Sequence, residues 1–336
     1  MNFFTEIAGH SKQIQQLQQA LLTQKLGQAY ILVGRQGIGR KKVALAVAQS
    51  LLCEKILNTK SACGVCPSCL RVKKIQHEGL LVISPESTQI KIDQAHQVID
   101  FLSLQKISAA RIVIIEEAQL LNPQAANALL KILEEPPKDT YFFLLSSSLS
   151  AMLPTIRSRC QAMHFQALGE AEMKKYIFSQ LSHPLHEVDL SKQEWLLRSA
   201  RGSFSSLQEL LQDSLQDSRH QALALILSMS ELAEGADFLS QTDWRDFFKD
   251  RKQALQIAVH VQSFLRDALG LALKMDAKNW IMNADQEEDL QKLALKPIPI
   301  LQKLAWGFLQ IEKGLQAFRD GTLMLEELYV STHRMD

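Results

Sequence analysis

The chain is 336 residues long with 46% hydrophobic and 22% charged residues, enough to bury more than one core, and two or three domains are expected. No 18-residue apolar run is present for a membrane span, and the start Met1-Asn2-Phe3-Phe4-Thr5-Glu6 lacks a basic region followed by an apolar stretch, so the cytoplasm is the expected compartment. A net charge of +1 argues against a protein that coats nucleic acid. The charge is nonetheless uneven, with 18 Lys/Arg against 11 Asp/Glu in residues 1–165 and 19 against 25 in residues 166–336.

The first apolar run, Tyr30-Ile31-Leu32-Val33, predicts a buried strand, and Val43–Ala48 begins a helical pattern. Between them lies Gly34-Arg35-Gln36-Gly37-Ile38-Gly39-Arg40-Lys41. A phosphate-binding loop reads G-x-x-x-x-G-K-S/T between a strand and a helix. Its backbone N–H groups cradle phosphate, the Lys neutralises it, and the hydroxyl holds Mg²⁺. Gly34 and Gly39 keep that spacing, with Gly37 between them, but Arg40 stands at the Lys position and Lys41 at the hydroxyl position. A planar guanidinium does not replace a compact ammonium, and Lys41 puts a cation where Mg²⁺ would bind. The loop reads as one that kept its shape and lost its chemistry.

Four of the five cysteines, Cys53, Cys63, Cys66 and Cys69, fall within 17 residues. Without a secretion signal, this spacing points to a closed, structural Zn²⁺ site held by four thiolates rather than to disulfides. Unligated thiols are the plain alternative, and a redox pair is disfavoured because the two C-x-x-C pairs share Cys66. Lys55, Lys60, Arg71, Lys73 and Lys74 flank the cluster, either as a solvated face or as a nucleic-acid contact.

Further strands are predicted at Leu80–Ile83, Ile112–Ile115, Tyr141–Leu145 and Gln161–Phe165, separated by helical segments such as Ile92–Leu104 and Pro123–Leu133. This alternation predicts a mostly parallel sheet flanked by helices. The strand Ile112–Ile115 runs into Glu116 and Glu117, where an ATPase would place one carboxylate on Mg²⁺ and a second on the attacking water. Two exposed acids at a strand end are the alternative. From Glu170 onward the apolar spacing is helical, with breaks expected at Pro184, Arg201-Gly202-Ser203, near Gly235, and at Pro297 and Pro299.

Asn127-Ala128-Leu129-Leu130-Lys131-Ile132-Leu133-Glu134-Glu135-Pro136-Pro137 and Thr155-Ile156-Arg157-Ser158-Arg159-Cys160, in this order after the phosphate loop, resemble the bacterial clamp-loader subunits of the AAA+ class. The resemblance covers essentially the whole chain, and the inserted cysteine spacing is shared by some members only. It implies a RecA-like AAA+ α/β domain at 1–165 with a zinc module at 53–69, a helical lid at 166–212, and an all-α collar for oligomerisation at 213–336. It also implies that Arg159 is an arginine finger reaching a neighbour's ATP site, and that Ser205 stands where an active member carries an Arg on the γ-phosphate. Without the resemblance, an Arg pairing locally at a helix end is the preferred reading of Arg159.

Zinc is then the expected cofactor and ATP is not expected. The implied partners are motor subunits of the gamma/tau type and a delta subunit, with sliding clamp and primed DNA reached through the complex and no membrane. The reading is a non-catalytic subunit associated with a DNA polymerase holoenzyme and its nucleotidyltransferase activity. Two alternatives stand beside it: an active ATPase motor subunit, and a zinc-dependent DNA-binding module.

Overall fold

The computed structural model describes residues 3–55, 61–86, 88–105, 107–178, 184–188, 190–211, 213–230, 243–275 and 281–333. Five strands form one sheet: β1 Ala29–Val33, β2 Leu80–Ile83, β3 Arg111–Ile115, β4 Thr140–Ser146 and β5 Gln161–His164, in the order β2-β3-β4-β1-β5. Every pairing is parallel, with Ala29 opposite Phe142 and Arg111 opposite Thr140. The central strands are covered on both faces, which is why they read as unbroken apolar runs rather than as alternating ones.

Helix α1 (Ser11–Leu22) precedes the sheet. Helix α2 (Arg40–Leu52) packs Val43, Ala44 and Val47 on one face, against Leu32, Ile112, Ile114 and Phe143. Helix α3 (Pro67–Lys73) follows the cysteine loop. Helices α4 (Ile92–Ser103) and α5 (Pro123–Glu134) cover the other face, where Ala95, Val98, Ala125 and Leu129 meet Ile31, Val113, Phe142 and Leu144. The two sets alternate along each strand, as a period of two requires. All five expected strands form within a residue or two of their predicted ends. Phe165 falls just outside β5, although its N–H still bonds the Val33 carbonyl at 2.7 Å.

The topology places the candidate site. In a parallel sheet all strands end on one edge, where ligand crevices lie. Strands β1 and β3 both flank β4, so the glycine loop and Glu116-Glu117 leave that edge about 10 Å apart, two strand spacings.

Beyond β5 the described residues are helical. The chain divides into two compact units, Met1–Ser179 with Arg201–Ser205, and Gln180–Ala200 with Ser206–Asp336. The first also contains α6 (Pro154–Arg157), α7 (Glu170–Phe178) and the start of α9 (Phe204–Leu210).

The second unit contains α8 (Leu190–Ala200), α10 (Asp213–Ser230), α11 (Asp243–Lys249), α12 (Arg251–Ala272), α13 (Glu287–Ala294), α14 (Ile298–Gln316) and α15 (Gly321–His333). Its core joins Ile226, Val261, Phe264, Leu301, Leu304, Phe308 and Leu325. Leu223, Leu225 and Leu328 are buried with them, whereas Trp306 and Leu323 stay exposed.

The break expected at Pro297 and Pro299 falls between α13, which ends at Ala294, and α14, which starts at Ile298. Pro297 is the N-cap residue of α14 and Pro299 lies in its first turn, where the missing N–H has no intrahelical partner to lose. Pro184 opens a single 3₁₀ turn, Pro184–Glu187, and Arg201–Ser203 separates α8 from α9 as expected. Gly235 lies outside the described residues.

The second unit also buries a polar network. Arg219, 2% exposed, donates to both carboxylate oxygens of Asp285 at 2.7 Å and lies 3.9 Å over the Trp195 ring. Asp267, fully buried, accepts the Met282 and Asn283 N–H groups at 3.0 and 2.8 Å. Such a cluster ties α8, α10 and α12 to one arrangement, because moving any member leaves a buried charge unpaired.

Candidate functional site

The glycine loop and the β3 acids face a cleft of about 610 Å³ lined by Gly37, Gly39, Arg40, Lys41, Lys42, Glu116, Glu117 and Ser205. Gly39 is the N-cap residue of α2 at φ 104°, and Gly37 has φ 78°, backbone that L side chains rarely adopt. Gly37 has a steric reason as well. A Cβ there would lie 2.3 Å from Ser203 Oγ and 2.7 Å from Ser205 Cβ, since α9 starts directly against the loop and its Phe204 N–H donates to the Gly37 carbonyl at 3.0 Å.

The structure brings together the residues that the sequence singled out in the phosphate loop and on β3. Lys41 Nζ lies 2.6 Å from Glu116 Oε1, and Ser84 Oγ donates to Glu116 Oε2 at 2.7 Å. Arg40, 4% exposed, donates to the Leu32 carbonyl at 3.3 Å and sits 3.6 Å from Glu117 Oε1. Burial lowers its pKa, while Glu117 and Glu116 pull it back up. Gln119 Nε2 donates to the other Glu117 oxygen at 2.6 Å.

The cleft therefore neutralises itself. A working site of this kind leaves its cation for phosphate and its acid for a metal; here each acid already has a cation of the same chain. Mg²⁺ at Glu116 would have to displace an ammonium at contact distance. Phosphate would have to draw Arg40 from a buried carbonyl and carboxylate, and separating such a partly buried pair costs more than separating an exposed one.

The four cysteines also converge. Their Sγ atoms lie within 4.8 Å of one another, and Cys63 Sγ and Cys69 Sγ are 4.0 Å apart. Four sulfurs at about 2.3 Å from one tetrahedral Zn²⁺ would be separated by about 3.8 Å, so the donor set fits that ion. Backbone N–H groups support it: Cys63 donates to Cys53 Sγ, Cys66 to Cys63 Sγ and Cys69 to Cys66 Sγ, each at 3.4 Å. The N–H groups of Val65 and Cys66 draw the Cys63 thiol down to about 6. Burial pushes Cys69 and Cys53 up, so a bound cation is what would ionise them.

The cysteine module is locked by residues that the spacing did not flag. Gly79 N–H donates to His77 Nδ1 at 2.9 Å, so Nε2 carries the proton and donates to Ser68 Oγ at 2.6 Å. Ser68 Oγ in turn donates to the Leu52 carbonyl at 2.6 Å, joining the end of α2 to α3. Burial lowers the His77 pKa, which keeps the ring neutral for this relay. Of the flanking cations, Arg71 pairs with Glu78 at 3.3 Å, and Lys60 lies outside the described residues.

Arg159 lies apart from both centres, just after α6, with its side chain 28% exposed. Nε donates to Glu134 Oε1 at 2.8 Å, and Nη2 donates to the same oxygen. Nη1 donates to the Thr155 carbonyl at 2.8 Å and to Ser158 Oγ at 3.1 Å. In the isolated chain the residue thus pairs locally at a helix end. Its partner comes from the other motif that carried the resemblance, because Pro136 and Pro137 follow α5 and leave Glu134 as its last residue.

Residues 9–169 match the family described as DNA polymerase III, delta subunit. The chain is 29% identical to the DNA polymerase III subunit delta' of Pseudomonas aeruginosa over 316 residues, 85% of this chain and 94% of that one. It is 28% identical to the Escherichia coli subunit tau over 205 residues, 60% of this chain but 31% of that longer protein. With the delta' subunit of Yersinia pestis it shares 30% identity over 82% of this chain and 80% of the relative, and on this similarity the chain belongs to the DNA polymerase III delta' subunit family.

Proposed function

We propose that this chain is the non-catalytic subunit of a DNA polymerase III clamp loader, which completes a neighbour's ATP site instead of running one of its own. In this role it supports ATP-dependent loading of the sliding clamp on primed DNA. The observation that carries the reading is the self-paired cleft, Lys41 on Glu116 and Arg40 beside Glu117. With Glu116 and Glu117 matched by Lys41 and Arg40, Mg-ATP would have to break ion pairs within the chain to be held. Ser205 lines the cleft but gives the γ-phosphate no cation.

Arg159 then acts outward. A guanidinium that reaches the γ-phosphate of a neighbouring ATPase neutralises charge developing in the transition state without taking part in bond making. The neighbour is a motor subunit of the gamma/tau type, and a delta subunit is the other protein partner. Within this reading the chain comprises a RecA-like AAA+ domain at 1–165, a lid at 166–212 and a collar at 213–336 through which it assembles. Zn²⁺ on Cys53, Cys63, Cys66 and Cys69 holds the inserted module and takes no part in chemistry.

The test is reconstitution of the loader from its purified subunits with and without this chain. Loading of clamp onto primed DNA should depend on it. Full loading and full DNA-stimulated ATPase in its absence would reject the proposal.

A further inference from the structure

We infer that Glu134 is the positioning residue of the arginine finger. The inference rests on the proposed role of Arg159 and deepens it. A guanidinium offers two donor edges, Nε with Nη2 and Nη1 with Nη2. In this structure the first edge is held by a single carboxylate oxygen, Glu134 Oε1. The Nη1 hydrogens go to the Thr155 carbonyl and the Ser158 hydroxyl, so one Nη2 hydrogen has no assigned acceptor and one Nη1 hydrogen rests on a hydroxyl that water readily replaces. Glu134 therefore takes the edge that a phosphate need not use and leaves the Nη1/Nη2 edge to meet an anion end-on.

The sequence explains why the carboxylate sits there. Helix α5 ends at Glu134, ahead of Glu135-Pro136-Pro137. A helix C-terminus disfavours a carboxylate, so Glu134 gains from an adjacent cation. Arg159 meanwhile donates to the Thr155 carbonyl of the four-residue α6, which also accepts from Ser158 Oγ at 3.1 Å. Glu134 and the α6 carbonyl together fix a long, flexible side chain that would otherwise lose rotamer entropy on meeting the neighbour.

The effect of Glu134 is felt through orientation. Both side chains are partly exposed, at 28% and 49%, so the pair adds little to folding. Glu134→Ala in the reconstituted loader is expected to lower kcat for ATP hydrolysis at the site facing this chain by about two- to fivefold, the scale of an exposed ion pair. The KM for ATP and the melting temperature of the isolated chain should not change. Glu134→Gln, which keeps the acceptor oxygen and loses the charge, should fall between Ala and wild type.

In the Arg159→Ala background, Glu134→Ala should lower kcat no further. Normal kcat for Glu134→Ala beside a crippled Arg159→Ala would overturn the inference and leave the finger intact. A raised kcat would also overturn it, because Glu134 would then be parking the finger. An Arg159→Ala loader with normal activity would instead remove the finger reading on which the inference stands.

Discussion

Replacing Arg159 with Ala is expected to slow ATP hydrolysis at the neighbouring site by about 10³-fold or more, the scale of arginine fingers supplied in trans to GTPases. The loss should appear in single-turnover hydrolysis and in clamp loading by the reconstituted complex. It should not appear in the folding of the isolated chain, because the residue is paired at the surface with Glu134 and with its own helix end. Total steady-state hydrolysis should fall less, since other motor subunits keep their own neighbours. Hydrolysis and loading that do not change would defeat the assignment of Arg159.

The second large effect concerns the metal. Native mass spectrometry should show one zinc per chain. Chelation or Cys69→Ser should release it and lower the melting temperature of the first unit. Structural zinc contributes about 10–16 kcal/mol in small zinc-finger peptides at neutral pH. Less is expected here, because the sheet and its two apolar clusters hold most of this unit without the metal. The damage should concentrate at 61–73, where Cys66 and Cys69 are 3% and 0% exposed and loss of the metal leaves buried thiols without their shared cation. A folded chain of normal stability without zinc would reject the site.

The sheet was legible because its central strands are short, doubly buried and almost wholly apolar. Tyr30–Val33 and Ile112–Ile115 have no alternation to misread, and the segments between them are long enough for crossover helices. The cysteine cluster was legible because three of its four members are close in sequence. What spacing could not show were pairs made by the topology. Lys41 and Glu116 are 75 positions apart and meet only because β1 and β3 flank the same strand.

Ser84, which donates to Glu116, follows β2 and carries no motif of its own. Glu134 lay inside a recognised motif, yet nothing local marks it as the partner of Arg159, 25 residues on. The buried Arg219–Asp285 pair spans 66 residues within a unit where helical periodicity reports only the apolar face. The prolines at 297 and 299 marked the break between α13 and α14, because a proline that cannot continue one helix is suited to start the next.

The proposed function turns on a cleft whose acids are held by the chain's own cations, and titration calorimetry of the purified chain with ATP and Mg²⁺ tests it most directly. No heat of binding and no hydrolysis are predicted, because Lys41 and Arg40 already hold Glu116 and Glu117. Micromolar binding with turnover would contradict the account. It would mean that both ion pairs give way to Mg-ATP and that the chain works as a motor subunit.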